Sequence, residues 1–462
     1  MFVGRKTEIE SLNRLYNSNG FQFAVVYGRR RVGKTTLINE FGKDKKYIYY
    51  AAIQSTKSDN LKLLSTQILS VLAPEAPANP FPSFYEAVEY VFGRAENERI
   101  VFAIDEYPYL AGGDVSVSSV LQAVIDKRHS DSNLFLILCG SSMSFMEKQI
   151  LGYESPLYGR RTAQYKLLPF DYFESGAMLP GFDNIDKISL YSITGGIPEY
   201  LARIDNSLSM QKNIENLFFD PSGRLFEEPS NLLKQELKYP ETYNAIVNVI
   251  AHGSGKLYEI ASKAGIETSQ CSSMLNSLIE LGLVRKEYPA SENKSKKTLY
   301  MLNDWMFVFW HRFVQPNYSR IITGMGNTVC NEVVSGQFNS HIGRAFEECA
   351  KQYMWRMQKN GGLPLLFKDI GRWWGNNPRE RREEEIDFIA YSDDTAIFGE
   401  CKWQNERVGE ECLDDLIRKA DLFVKFKEKH FYLFAKSGFA EKTVKQAKKR
   451  GNVVLIDAED MF

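Results

Sequence analysis

The eight residues Gly28-Arg29-Arg30-Arg31-Val32-Gly33-Lys34-Thr35 constrain this chain more than any other feature. They fit G-x-x-x-x-G-K-[ST], follow the apolar run FAVVY and open the helix-forming segment TTLINEF. Strand, glycine-rich loop and helix in that order make a phosphate cradle, because glycines let backbone N–H groups curl inward at a helix N-terminus. Lys34 then neutralises the outer phosphate oxygens, and Thr35, followed by Thr36 on the helix, presents a hydroxyl to magnesium. Arg29, Arg30 and Arg31 are not required by the pattern and read as a positive rim. Such a loop needs a buried sheet to hold it.

The neighbouring sequence supplies one. KYIYYAAI, IVFAIDE and LFLILCGSS alternate with helical segments over the first 165 residues, with a Pro/Ala-rich loop at 72–83. This predicts an α/β fold, a parallel sheet covered by helices on both faces. One of these strands ends in Asp105-Glu106. A carboxylate there is costly unless a cation or hydrogen bonds compensate it. Asp105 is placed to hold magnesium through water and Glu106 to polarise an attacking water. The next strand ends in Gly140-Ser141-Ser142, where Ser141 is a candidate sensor of the γ-phosphate, and Gly159-Arg160-Arg161 offers a charge stabiliser.

Composition removes other classes. At 462 residues the chain has room for two or three domains. Lys plus Arg number 57 against 58 Asp plus Glu, so no global field draws it to polyanions and any such binding needs a local patch. Six scattered cysteines without a C-x-x-C pair, and five dispersed histidines, point to reduced thiols in a cytoplasm and no zinc ribbon. MFVGRKTEIE lacks the apolar core of a signal peptide. The most apolar stretch, Trp305 to Val314, is about half the length that spans a bilayer and reads as a buried aromatic helix. No membrane partner is expected.

In their order along the chain, FVGRKTEIESL, VYGRRRVGKTTLINEF, VFAIDEYPYL, CGSS, PLYGRR and GGIPEYL resemble the archaeal-type ATPases, in the STAND branch of the AAA-related P-loop NTPases, over about 1–303. The resemblance implies ATP or ADP with Mg2+ as ligands. It sets Val3-Gly4-Arg5 near the base and Arg160 as finger or sensor, with Arg161 an open alternative. It also makes Gly196-Ile197-Pro198 a reader of nucleotide state. The expected division is a P-loop ATPase core at 1–165, a helical lid at 166–235, a winged helix at 236–303, a linker with an aromatic helix at 304–335 and a nuclease-like domain at 336–462.

The winged helix is read from ETYNAIVNVIAHG, KLYEIASKAG and ETSQCSSMLNSLIELG, the last capped by Thr268, followed by the strand-like LVRKEY and TLYML. Arg285, Lys286, Lys294, Lys296 and Lys297 fall on this hairpin, which suits phosphate contact. Acids nearly balance the bases across 241–303, so packing on the ATPase core as a switch is slightly favoured over contact with double-stranded DNA.

In the last segment Asp387 ends one apolar strand, and Glu400-Cys401-Lys402 lies on the next. Residues two apart share a strand face, so Glu400 and Lys402 can act together on a metal-bound phosphodiester. Glu347, on a helix upstream, adds a third carboxylate for a second divalent metal shared with Asp387 and Glu400. The pattern resembles the PD-(D/E)xK nuclease-like fold, with Ile386 where that fold's name has Pro. The expected activity is an ATPase that switches a DNA-directed effector, forming a homo-oligomer in the ATP state. The alternative is a regulatory or scaffold protein that binds without cutting.

Overall fold

The computed structural model describes residues 2–75, 79–112, 116–291, 297–378 and 380–462. Two compact units divide the chain, Met1–Pro169 and Phe170–Phe462.

The first unit is built on a five-stranded sheet. β1 (Gln22–Tyr27), β2 (Tyr47–Ala51), β3 (Ile100–Asp105), β4 (Leu134–Gly140) and β5 (Ala163–Lys166) lie in the order β2-β3-β4-β1-β5, every pair parallel. β3 and β4 are buried along their whole length, which explains their unbroken apolar sequence. Helices Lys57–Leu72, Phe84–Arg94 and Ser116–Arg128 give Leu64, Val88 and Leu121 to one core. With every strand running the same way, the ends of β1, β3 and β4 meet at one edge, where α/β sheets bind ligands. β5 was not expected from AQYK, whose polar residues alternate because it is an edge strand with one exposed face.

The second unit begins with helices including Tyr172–Ala177, Asn184–Thr194 and Met210–Phe218. Three helices, Pro240–Ala251, Leu257–Ala264 and Thr268–Glu280, then precede an antiparallel hairpin of β6 (Val284–Glu287) and β7 (Leu299–Leu302). Thr268 is the first helical residue and not the cap; Glu267 takes the cap position in extended conformation, without a side-chain bond. Trp305–Phe309 and the wider turn Trp310–Val314 form the expected buried aromatic segment, with His311 and His341 fully enclosed nearby.

A mixed sheet completes the unit. β8 (Asp369–Asn377), β9 (Arg382–Tyr391), β10 (Thr395–Lys402), β11 (Glu428–Ala435) and β12 (Val453–Asp457) lie in the order β12-β11-β10-β9-β8. β8, β9 and β10 pair antiparallel, and β10, β11 and β12 pair parallel. Phe346 of helix Phe338–Lys359 packs on Phe434, while Leu413 and Leu416 of helix Glu410–Ala420 share a core with Phe398 and Leu433. The adjacent residues Leu433 and Phe434 point to opposite faces, so the two helices cover the two sides. Glycines and polar residues in DIGRWWGNN hid β8 from sequence reading.

The hairpin is fastened to this sheet. Ala290 N–H donates to the Arg372 carbonyl at 2.8 Å and Lys425 Nζ to the Ser291 carbonyl at 2.7 Å. Arg285 pairs with Glu348 at 3.3 Å, and Arg372 with Glu287 at 3.6 Å. Burial alone would raise Glu348, but Lys351 and Arg285 hold it down at about 2. Of the expected wing lysines, Lys294 and Lys296 lie outside the described residues.

Candidate functional site

The phosphate loop takes its shape from glycine. Gly33 sits at φ +87°, and a Cβ on Gly28 would stand 2.4 Å from the Leu167 carbonyl oxygen. Lys34, 6% exposed, folds back to donate to the carbonyls of Gly28 and Arg29, each at 3.0 Å. Burial lowers its pKa, with Cys139, Glu106 and Asp105 pulling the other way. Arg5 of the Val3-Gly4-Arg5 segment is buried and donates to the Val32 carbonyl at 3.1 Å and to that of Leu168, which braces the loop from behind. Arg30 donates to Tyr109 Oη at 2.8 Å, and Arg31 adopts φ +71°.

Three strand ends complete the arrangement. Thr35 Oγ1 donates to Asp105 Oδ2 at 2.6 Å, so the expected magnesium hydroxyl and carboxylate are already in contact. Glu106, in left-handed conformation at φ +48°, accepts from Ser141 Oγ at 2.8 Å. Ser141 rises from β4, which lies between the strand of the loop and the strand of the acids. A hydroxyl beside a carboxylate at the helix N-terminus fits a phosphate-bound magnesium ion. Thr36 is the exposed third residue of the helix Lys34–Gly42.

Arg160 is held differently from expectation. Its guanidinium clasps Asp126 through two bonds, 2.6 and 2.7 Å, and donates to the carbonyls of Pro156 and Tyr158. Arg161 lies within electrostatic reach of Tyr27, the residue before Gly28. In the second unit, Gly195 and Gly196 turn the chain at φ +62° and +70°. A Cβ on Gly196 would come 2.0 Å from the Phe170 carbonyl oxygen, and Pro198 starts a short helix at once.

The C-terminal acids occupy a bulged region. β8 steps from Gly371 to Trp373 while β9 steps from Ile389 to Ile386, so β9 carries one extra residue around Asp387 and Phe388. Such bulges re-aim side chains. Counted from Ile389, Asp387 belongs to the face of Glu400; counted from Ile386, it belongs to the opposite face. Asp387 Oδ2 accepts the Cys401 N–H at 2.7 Å. Burial, then Glu400, then Glu347 raise its pKa well above the carboxylate range.

Lys402 Nζ pairs with Glu400 Oε1 at 2.7 Å, and Lys419 approaches Oε2 at 3.7 Å. Glu400 Oε2 is buried without a hydrogen-bond partner, its charge met by Lys419 at ion-pair distance. Glu347 lines a cleft of about 490 Å³ with Arg344, Lys351, Arg372 and Glu385, and burial raises it to about 7. Among the described residues, no group of three or more His, Cys, Asp or Glu is gathered as a metal cluster. Glu347 stands on the helix covering the face opposite Glu400, which explains the separation. Lys351, Arg372, Glu385 and Lys419 were missed by sequence reading, since nothing in their spacing marks them. No helix among the described residues is long and apolar enough to cross a membrane.

Residues 2–204 match a family described as an ATPase domain predominantly from Archaea. Residues 310–412 match a family of archaeal and bacterial proteins of unknown function. A solved structure of similar fold is the Walker-type ATPase PABY2304 of Pyrococcus abyssi, at TM-score 0.53 and 20% identity, covering 67% of this chain and 96% of that one. The uncharacterized ATP-binding protein MJ0423 of Methanocaldococcus jannaschii is 54% identical over 46 residues, 10% of this chain and 78% of that protein. The uncharacterized protein MJECL04 of the same organism is 31% identical over 466 residues, spanning 100% of both chains. The chain belongs to the family of that full-length relative, with an archaeal-type ATPase domain on a P-loop fold at its N-terminal end.

Proposed function

We propose that the protein binds and hydrolyses ATP with Mg2+ in its first unit, as a STAND-type switch, and uses nucleotide state to control a phosphodiester-directed C-terminal effector. The observation that carries the ATPase reading is the pairing of Thr35 with Asp105 and of Ser141 with Glu106 beside Lys34. Phosphate oxygens replace the loop carbonyls as partners of Lys34, and the loop's N–H groups receive the rest of the charge. Thr35, and Asp105 through water, would hold Mg2+, which would supply charge neutralisation to the phosphates. Glu106 orients water, and its bond to Ser141 links that water to the strand between. Arg160 acts only after leaving Asp126, so it is the group whose role depends on nucleotide or partner; Arg161 is the alternative. Gly196 and Pro198 are the proposed nucleotide-state reader.

For the second unit, the Glu400 oxygen without a hydrogen bond, the bulge-displaced Asp387 and the nearby Lys402 support a divalent-metal site directed at double-stranded DNA. Glu347 flanks it from the cleft. Three helices and a hairpin support the winged-helix reading, with the hairpin engaged on the C-terminal sheet. That engagement favours the second reading, a regulatory module that binds without cutting. Calorimetric titration with ATP and ADP tests the first function. Plasmid nicking with magnesium or manganese, abolished by Lys402→Ala, separates a nuclease from a binding module.

A further inference from the structure

A residue outside every phosphate-loop pattern reaches the nucleotide site from the neighbouring strand. β2 runs beside β3 with Tyr49 opposite Ala103 and Ala51 opposite Asp105. Tyr47, Tyr49 and Ala51 therefore point to one face, the face of Asp105. Helix Lys34–Gly42 lies against it: Tyr47 Oη donates to Asn39 Oδ1 at 2.9 Å, and the Tyr47 ring fills the space over Gly42. The Tyr49 ring sits beside that of Tyr47, centroids 6.0 Å apart, which leaves its hydroxyl at the first turn of the helix. There it donates to Asp105 Oδ2 at 3.0 Å, the same oxygen that accepts Thr35 at 2.6 Å.

A carboxylate oxygen offers two lone pairs. Thr35 and Tyr49 occupy both on Oδ2, while Oδ1 accepts the Glu106 N–H at 2.8 Å and keeps one. The Cys139 thiol, wholly buried beside Asp105, is a weak donor that a stronger partner displaces. Burial and Asp105 push the Tyr49 phenol up, so it stays protonated and remains a donor.

Building on the ATPase reading, we propose that Tyr49 is a positioning residue of the nucleotide site: it pins Asp105 Oδ2, reserves Oδ1 for a metal-bound water, and so sets the affinity for Mg2+ without touching the nucleotide. Groups that orient a metal's ligands typically change metal affinity by about 10- to 100-fold when removed.

The test titrates Mg2+ at fixed ATP, reading nucleotide binding by calorimetry, in the wild-type chain and in Tyr49→Phe and Tyr47→Phe. The expected result is a Mg2+ midpoint raised about tenfold or more in Tyr49→Phe. The affinity for metal-free ATP stays at the wild-type value, and the Tyr47→Phe midpoint does not move. An unmoved midpoint in Tyr49→Phe overturns the proposal. So does an equal shift in Tyr47→Phe, or a parallel loss of metal-free ATP affinity, because each marks general packing. Wild-type protein that binds no ATP at any Mg2+ concentration breaks the ATPase reading itself, a result distinct from all three.

Discussion

At the nucleotide site Lys34, Asp105 and Glu106 each have protein partners within hydrogen-bond distance, whereas in the C-terminal domain Glu400 keeps a buried oxygen with none. In the first site Lys34, Asp105 and Glu106 are bonded within the protein, while Arg29 of the same loop keeps two buried guanidinium nitrogens without a hydrogen bond. The second is held by nearby lysines and by acids that repel one another, a balance that a cation from outside improves. The two regions therefore differ in which group is left unsatisfied: guanidinium nitrogens, suited to an anion, in the first and a carboxylate oxygen in the second.

The largest effect is expected at Glu106. Glu106→Gln is expected to slow hydrolysis by about 100- to 10,000-fold, the usual worth of a positioned base, while ATP still binds. Steady-state turnover beside calorimetry checks this, and retained turnover removes Glu106 as the activating group.

Lys34→Ala removes the main positive neighbour of the phosphates. The expected loss is about 3 kcal/mol or more, which takes ATP binding below detection in a calorimeter, while C-terminal metal binding is untouched. Unchanged binding would sink the phosphate-site assignment.

A pH series sharpens the contrast within the second unit. Burial keeps His311 down at about 4 and His341 at about 3, against an ordinary 6.5. Below pH 6.5 the unfolded chain takes up protons that the folded chain refuses, so stability falls as pH drops towards these values. Each histidine contributes about 1.4 kcal/mol per pH unit, and His341→Gln should flatten the slope measured by urea denaturation. Smaller is the effect of adding manganese to the apo chain: about 1.4 kcal/mol of protection at a tenfold excess over Kd. Glu400→Gln should remove it without altering ATP binding. Smallest is Glu348→Gln, which leaves Arg285 with Glu287 alone, at 3.7 Å. Both partners of the lost pair are part-exposed, so the loss is about 1 kcal/mol. Chemical denaturation should show it in the second unit, with ATP affinity unchanged.

The phosphate loop and its two strands were legible because their chemistry is contiguous: eight residues, then a strand ending in two acids. Tyr49 was not, since its role depends on β2 lying beside β3, which spacing along the chain does not reveal. Asp387, Glu400 and Lys402 were singled out by a short pattern. What escaped was the bulge, which arises from the pairing of β8 and β9, and β8 itself was hidden by its glycines. Composition marks the hairpin as basic. Arg285, however, spends its charge on Glu348, a partner far away in sequence.

The backbone bond from Ala290 to Arg372 bears on how the polypeptide can be divided and synthesised. β8 is an edge strand, and bare edges recruit other chains. A fragment cut at 336 would expose that edge and strip Glu348 of Arg285, so it should aggregate where a fragment retaining 236–303 stays dispersed. On the ribosome the hairpin emerges first and waits for a strand made later.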